Sequence, residues 1–145
     1  MTGAEVISAA VLSAFGVVLI LARLRVKVIT VKGQSMAPSY QHGDRLLMRR
    51  TRVCRRDDVV VFTSPIEIPM GPALLVKRVA AVPGDPVPEA ARTRIGDAVV
   101  PPGQLVVLGD NQRSLDSREL GYIALDSVVG VVQRRLAASS AGSTP

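Results

Sequence analysis

The first residue whose surroundings suit chemistry is a serine in a turn flanked by glycine and proline. Ser35 lies within residues 33–38, GQSMAP, directly after an extended stretch rich in β-branched residues. At a strand-to-turn junction, a serine hydroxyl and its own backbone N–H can be exposed together, as a nucleophile with an oxyanion donor requires. Serine beside glycine and proline is also ordinary turn chemistry, so this segment alone assigns no function.

A lysine inside an apolar stretch is the second candidate. Lys77 stands in LLVKRVAAV, and because neighbours in a strand face opposite sides, either Lys77 or Arg78 must face the core. Burial disfavours the charged form, so an inward Lys77 would have a lowered pKa and could serve as a general base near neutral pH. The alternative is a solvated lysine at the edge of the sheet.

A polar loop is the third candidate. Residues 109–118, GDNQRSLDSR, follow the apolar stretch LVVL and hold two carboxylates, two amides, two hydroxyls and two guanidinium groups. A charge-assisted pair of Asp116 with Arg118 would hold the loop rigid, and Ser114 or Ser117 would orient the lysine amine by a hydrogen bond. A purely structural polar loop is the alternative.

Short apolar segments separated by Gly and Pro turns surround these three candidates. The segments are rich in Val, Ile and Leu, and the sequence contains no convincing amphipathic helix, which indicates an all-β or mainly-β domain. The predicted strands are residues 26–31, 45–49, 58–62, 74–82, 99–100, 105–108 and 128–132.

A long uncharged stretch precedes the strands. Residues 6–22, VISAAVLSAFGVVLILA, approach the ~20 apolar residues that a membrane-spanning helix needs. A cleaved signal peptide is disfavoured because no basic segment precedes the stretch and no Ala-x-Ala pattern follows it. A buried core helix is disfavoured because the stretch is apolar on every face. We therefore predict an anchor over residues 1–24 that meets the lipid bilayer through 2–24, a β-domain over 25–136 and a flexible tail over 137–145.

The composition excludes several classes of site. A single Cys, Cys54, rules out an internal disulfide framework and a multi-cysteine zinc site, and His42 is the only histidine. Aromatic residues make up 3% of the chain without any Trp, which argues against a nucleic-acid reader built on stacking. We therefore expect no metal, no cofactor and no nucleic-acid partner. We assign no catalytic role to Cys54 or His42.

Three segments in this order behind an anchor resemble the type I signal peptidases in their minimal, single-span form. The segments are GQSMAPSYQHGDRLL, LLVKRVAAVPGD and VLGDNQRSLDSRELG. The resemblance covers residues 26–132. It implies a signal-peptidase-like β-domain of short antiparallel strands behind one N-terminal transmembrane helix. It also implies a membrane serine endopeptidase that removes signal or leader peptides from translocated preproteins.

The same resemblance implies roles for individual residues. Ser35 would be the nucleophile and Lys77 the general base of a Ser/Lys dyad that works through an acyl-enzyme, with the Ser35 N–H donating to the oxyanion. Gly33 stands where some relatives carry a hydroxyl that serves as a second donor. The residues that would orient the lysine or brace the site are Ser114, Asp110, Asp116 and Arg118.

Substrate binding is implied along two strands. The preprotein's signal peptide would bind as an added extended strand, with Met36 closing one wall of the site. The residues expected to line shallow apolar pockets for small side chains at the −1 and −3 positions are Ile29, Val31, Leu74 and Val76. The alternative for these four residues is ordinary core packing.

The sequence departs from the family pattern in two places. The third motif is one residue shorter between Asn111 and Ser114 than the common form. The stretch between Lys77 and Asp110 is too short for the additional β-domain of larger members, so the chain resembles the Gram-positive and organelle inner-membrane forms in size.

The membrane orientation is the point of conflict. Arg23, Arg25 and Lys27 all follow the apolar stretch, so the positive-inside rule places the β-domain in the cytoplasm. The family acts on the outer face, and we therefore expect a single-pass protein of the cell membrane with its β-domain on the extracytoplasmic side.

Other functions also fit parts of the sequence. A dedicated maturation peptidase with one client would carry the same motifs. A self-cleaving Ser/Lys protein should carry a DNA-binding domain or cleavable linker ahead of Ser35, and a sortase-like enzyme would need Cys54, His42 and an arginine in a catalytic arrangement. A non-catalytic β-domain would bind peptides, or anionic lipid through the arginines of residues 49–56.

Overall fold

Seven strands and one long N-terminal helix make up the architecture of the computed structural model, which describes residues 3–67 and 73–138. Most of the predicted tail, residues 139–145, lies outside the described residues. The elements are α1 (Gly3–Leu24), β1 (Val26–Thr30), β2 (Arg45–Arg49), β3 (Val59–Thr63), β4 (Leu74–Ala81), α2 (Glu89–Arg92), β5 (Gln104–Leu108), α3 (Ser117–Leu120), β6 (Ile123–Ala124) and β7 (Val128–Ala137). The prediction of a mainly-β domain behind one apolar helix is confirmed.

Helix α1 is apolar and exposed on all sides. At ~1.5 Å per residue its 22 residues extend roughly 33 Å, enough for a hydrocarbon core of about 30 Å. No part of the apolar span Gly3–Arg23 is buried against the β-domain. The helix ends at Leu24 and β1 begins at Val26, so the anchor continues directly into the first strand.

The strands form one antiparallel sheet in the order β1-β2-β7-β3-β4-β5-β6. Strand β1 lies at one edge and pairs with β2 from Val26 opposite Arg49 to Thr30 opposite Arg45. Two register shifts interrupt the pairing of β2 with β7, and such irregularities bend a sheet locally.

Strand β4 is paired on both sides along only part of its length. It pairs with β3 from Leu74 to Arg78, whereas its pairing with β5 begins at Arg78. Among the described strands, residues 74–77 therefore keep one backbone edge unpaired. Such an edge can accept a further strand.

Two apolar clusters stabilise the sheet. The larger one lies on β3, β4, β5, β6 and β7 and consists of Val60, Phe62, Val79, Leu105, Val107, Ile123, Val128 and Val131. The smaller one fills the space beneath the connection between β4 and β5 and consists of Ala81, Val87, Ala91, Ile95, Val100 and Val106. The strands that carry the candidate site residues thus rest on a packed core.

One predicted strand is absent, and the predicted end of the last strand is wrong. Residues 99–100 form no strand, since Val99 makes only an isolated bridge with Pro86 and the two prolines that follow have no N–H for a ladder. The last strand continues beyond residue 132 to Ala137 because its exposed, polar second half pairs with β2. Helices α2 and α3 have four residues each, too few to show a helical period in the sequence.

The two phenylalanines offer a direct test of where the core lies. Phe62 is fully buried in β3, whereas Phe15 is 63% exposed on α1. We expect Phe62→Ala to lower the free energy of unfolding of the β-domain by about 3–5 kcal/mol, through lost burial and a residual cavity. Thermal unfolding of the full chain in detergent measures this. Phe15→Ala is the matched control and should leave the transition within about 0.5 kcal/mol; equal effects would contradict the assignment.

Candidate active site

Lys77 is the inward-facing member of the Lys77–Arg78 pair. It lies on β4 opposite Val60, and its side chain is 2% exposed. Its Nζ donates a hydrogen bond of 2.7 Å to Ser114 Oγ. The pKa of Lys77 is lowered from its ordinary value to about 8, chiefly by burial; the charge of Asp116 raises the pKa and the charge of Arg118 lowers it. The amine is therefore close to losing its proton under mild conditions.

Asp116 is the fully buried carboxylate of the polar loop. Its Oδ2 accepts from Gly109 N at 2.7 Å and from Arg118 Nη2 at 2.6 Å. Its Oδ1 accepts from Arg118 Nε at 2.9 Å and from Arg118 N at 3.1 Å, which caps α3. Burial alone would raise the pKa of Asp116, but these hydrogen bonds outweigh it and the pKa is lowered. The loop is therefore held by an ionised, bidentate pair, as expected from the sequence.

Asp110 anchors the loop to β4 through a second bidentate pair. Arg78 Nε and Nη2 donate to Asp110 Oδ1 and Oδ2 at 2.9 and 2.7 Å. The hydrogen bond from Arg78 lowers the pKa of Asp110. Because Arg78 follows Lys77 in the strand, this contact fixes the loop beside the buried amine.

Ser35 lies half-buried in the turn after β1. Asn111 reaches this turn twice: its backbone N donates to Ser35 O and its Nδ2 donates to Gln34 O, each at 3.1 Å. On the other side, Gly33 N donates to His42 Nδ1 at 3.0 Å, with Gly33 at a φ of 81°. The serine turn is thus attached to the polar loop by backbone and side-chain contacts.

Gly109 is the position at which the serine turn and the lysine converge. A Cβ at Gly109 would lie 2.6 Å from Ser35 O and would overlap the Ser114 side chain, which bonds Lys77. Only glycine leaves room for both neighbours. Among the described residues, no hydrogen bond joins Ser35 Oγ to Lys77, and catalytic hydrogen bonds are often long in unliganded sites.

A cleft of about 520 Å³ opens beside Ser35. The residues lining it come from β1, the turn that follows, β3 and β4: Ile29, Thr30, Val31, Lys32, Ser35, Val61, Ala73, Leu74, Leu75 and Val76. All four residues predicted to line substrate pockets are among them. Met36 is not, because its side chain is fully buried in the interior.

Three contributors to this site were not recognised in the sequence. Gly109 and Asn111 lie in the third motif and His42 lies in the first, but their partners in the serine turn are 9 to 77 residues away. The wealth of polar groups in residues 109–118 was the one signal that pointed to Asn111. Within the described part of the chain, no three His, Cys, Asp or Glu side chains converge as a metal site would require.

Comparisons with known proteins identify the family. The family model described as "Signal peptidase, peptidase S26" matches residues 4–95 and 89–137. Signal peptidase I of Bacillus caldolyticus is 28% identical over 162 aligned positions, which cover 83% of this chain and 86% of the relative. Signal peptidase IB of Staphylococcus aureus is 30% identical over 164 aligned positions, which cover 84% of this chain and 83% of the relative. The chain that brings these three motifs together therefore belongs to the type I signal peptidases, peptidase family S26.

Proposed function

We propose that the protein is a membrane-anchored serine endopeptidase that removes N-terminal signal peptides from translocated preproteins through a Ser35/Lys77 dyad. The observation that carries the proposal is the buried lysine whose pKa is lowered to about 8, held by Ser114 next to the turn that presents Ser35 to the cleft. A serine hydroxyl is a weak nucleophile without such a base.

In the first half of the reaction, neutral Lys77 Nζ takes the proton of Ser35 Oγ as that oxygen attacks the scissile carbonyl carbon. The carbonyl oxygen becomes an oxyanion, which the Ser35 N–H stabilises. The C–N bond then breaks, the leaving amine takes the proton from Lys77, and the signal peptide stays attached to Ser35 as an ester. In the second half, Lys77 takes a proton from water as the water oxygen attacks the ester carbon. The bond from that carbon to Ser35 Oγ then breaks, Ser35 Oγ takes the proton back from Lys77, and the signal peptide leaves with a free carboxyl group.

The contacts of Lys77 suit this role. Ser114 Oγ accepts a hydrogen bond from Lys77 Nζ, so the lone pair of the neutral amine is left for another proton donor. The low exposure of the side chain keeps the charged form disfavoured. Asp116 and Arg118 carry opposite charges and influence the pKa of Lys77 in opposite directions, so burial decides the outcome.

The cleft accommodates an extended peptide. The outer edge of β1 and the unpaired edge of residues 74–77 both carry backbone groups without a partner strand among those described. A peptide laid along these edges would gain backbone hydrogen bonds, and the apolar wall of Ile29, Leu74 and Val76 would select side chains by size. None of the other functions considered from the sequence is favoured by a contact in the described residues.

Removing either member of the dyad should abolish cleavage of a preprotein. We expect Ser35→Ala and Lys77→Ala to lower kcat/KM at least about 10⁴-fold, because the base and the nucleophile act as one unit. Ser127→Ala and Lys27→Ala are matched controls outside the cleft and should retain cleavage. A Ser35→Ala or Lys77→Ala protein that keeps most of its activity while folding normally would refute the dyad.

The pKa of Lys77 sets the pH dependence. The amine is mostly protonated below about pH 8 and mostly neutral above it. We therefore expect kcat/KM to increase about tenfold per pH unit below about pH 8 and to level off above it. Lys32 also lines the cleft, and Lys32→Ala should leave the midpoint of this acid limb in place. A profile that is flat between about pH 6 and 9, or a midpoint that moves with Lys32, would contradict the assignment.

The side of the membrane is part of the proposal. A peptidase acting on translocated preproteins must face the extracytoplasmic side, although three exposed basic residues, Arg23, Arg25 and Lys27, follow the apolar stretch of residues 6–22. The native thiol is a poor reporter of orientation because Cys54 is partly buried and its pKa is raised by burial and by Asp58. Val53 is 73% exposed and offers a better position.

Labelling at residue 53 tests the orientation. We expect a Val53→Cys/Cys54→Ala double variant to react with a membrane-impermeant maleimide in intact cells, since an exposed thiol on the outer face meets the reagent. Cys54→Ala alone is the control and should not be labelled. Reaction of the double variant only after lysis would place the β-domain in the cytoplasm.

A further inference from the structure

We propose that Asn111 is a positioning residue that fixes the direction of the Ser35 N–H, the oxyanion donor. The inference rests on the proposed function, since it assumes that Ser35 is the nucleophile. Asn111 Nδ2 donates to Gln34 O at 3.1 Å. Gln34 O belongs to the same peptide unit as the Ser35 N–H, so this side chain controls the plane in which the oxyanion donor lies.

The geometry of the peptide bond transmits the contact. The Gln34–Ser35 unit is planar and trans, so its N–H points opposite to its C=O. Holding the carbonyl toward Asn111 therefore turns the Ser35 N–H away from Asn111. Among the described residues, no acceptor is bonded to this N–H, which leaves it for the oxyanion.

A second contact prevents the turn from rotating. Asn111 N donates to Ser35 O at 3.1 Å, so the carbonyls on both sides of the Ser35 Cα bond the same residue. On the far side, Gly33 N donates to His42 Nδ1. The Gly33 N–H is thus already used, and Gly33 has no hydroxyl, so the Ser35 N–H is the donor in this turn on which oxyanion stabilisation depends.

The amide orientation of Asn111 is fixed by its own contacts. Asn111 Oδ1 accepts from Arg113 N at 3.0 Å, and the opposite amide orientation would pair two donors and two acceptors. Asn111 O also accepts from Arg118 Nη2 at 3.2 Å. Arg118 also bonds buried Asp116 through Nε and Nη2, so Asn111 is connected to the buried ion pair of the loop.

Two substitutions distinguish the effect of the Asn111 side chain on the Gln34 carbonyl from the other contacts that residue 111 makes. Asn111→Asp keeps the oxygen that accepts from Arg113 N but replaces the donor to Gln34 O by a second oxygen, which repels the carbonyl. Asn111→Ala removes both contacts. In both variants the backbone bond from residue 111 to Ser35 O is retained. Gln112→Ala, at the exposed neighbouring position, is the matched control.

We expect both Asn111 variants to lower kcat about 10- to 100-fold, with KM for a signal-peptide substrate changed less than about threefold. This loss of kcat is smaller than the ~10²–10³-fold loss expected when an oxyanion donor is removed outright, because the Ser35 N–H is still present. A substrate-derived peptide aldehyde, which adds Ser35 Oγ to its carbonyl and forms an oxyanion-like hemiacetal, should lose affinity by a similar factor. The corresponding peptide alcohol forms no such adduct and should bind as to the wild type.

Unchanged kcat and aldehyde affinity in both variants would overturn the proposal, as would an equal loss for aldehyde and alcohol, which indicates general damage to the cleft. Ser35→Ala separates this outcome from failure of the proposed function. If Ser35→Ala remains active, the dyad itself is wrong. If it is inactive while both Asn111 variants cleave like the wild type, only the role of Asn111 is refuted.

Discussion

Burying the Lys77 amine costs free energy, and the contacts around the site must compensate for that cost. Lowering the pKa of Lys77 from 10.5 to about 8 corresponds to about 3 kcal/mol of free energy that disfavours its charged form. A domain of this size is stable by only about 5–15 kcal/mol. The surrounding contacts must therefore keep the amine desolvated and hydrogen-bonded without leaving other buried polar groups unpaired.

The polar loop meets that requirement by satisfying every group it buries. Asp116 is fully buried but accepts four hydrogen bonds, and Ser117 Oγ accepts from Val107 N at 2.9 Å. Within the described residues, no buried side-chain nitrogen or oxygen lacks a partner. Removing one partner of such a buried pair is costly because the other charge is left unpaired, so the loop has one stable arrangement around Lys77 and Ser114.

The sheet places this loop where the serine turn can reach it. Strand β4 is free of β5 along residues 74–77, which opens the cleft, and joins β5 from Arg78 onward, which brings the loop after β5 beside Lys77. The anchor enters the same sheet through β1, one strand-length before Ser35. Arg50 N donates to Arg25 O at 2.6 Å, so the basic residues after the anchor and those after β2 lie at one end of the molecule.

Local patterns in the sequence were enough to predict the mainly-β class, the apolar N-terminal helix and the residue types of the candidate site. These predictions rest on local signals: alternating β-branched residues, Gly and Pro turns, and an uncharged stretch as long as a membrane-spanning helix. Such signals can be recognised without knowing which residues are in contact. The three motifs pointed to the family because their order and spacing can be read directly from the sequence. The pairing of Asp116 with Arg118 could also be predicted from the sequence, since only one residue separates them.

The contacts between these residues, in contrast, depend on how the strands pack together. Alternation left Lys77 and Arg78 equivalent, and the packing of β4 against β3 and β5 selected Lys77 for burial. Met36 was expected to form a wall of the cleft but is buried in the core, and the last strand was expected to end at residue 132 but continues to Ala137 and pairs with β2. The fit of Gly109 between Ser35 and Ser114, and the hold of Asn111 on the serine turn, join residues far apart in sequence. Such contacts depend on how the sheet bends and not on any local pattern, so the sequence supplied the chemistry and the fold supplied the distances.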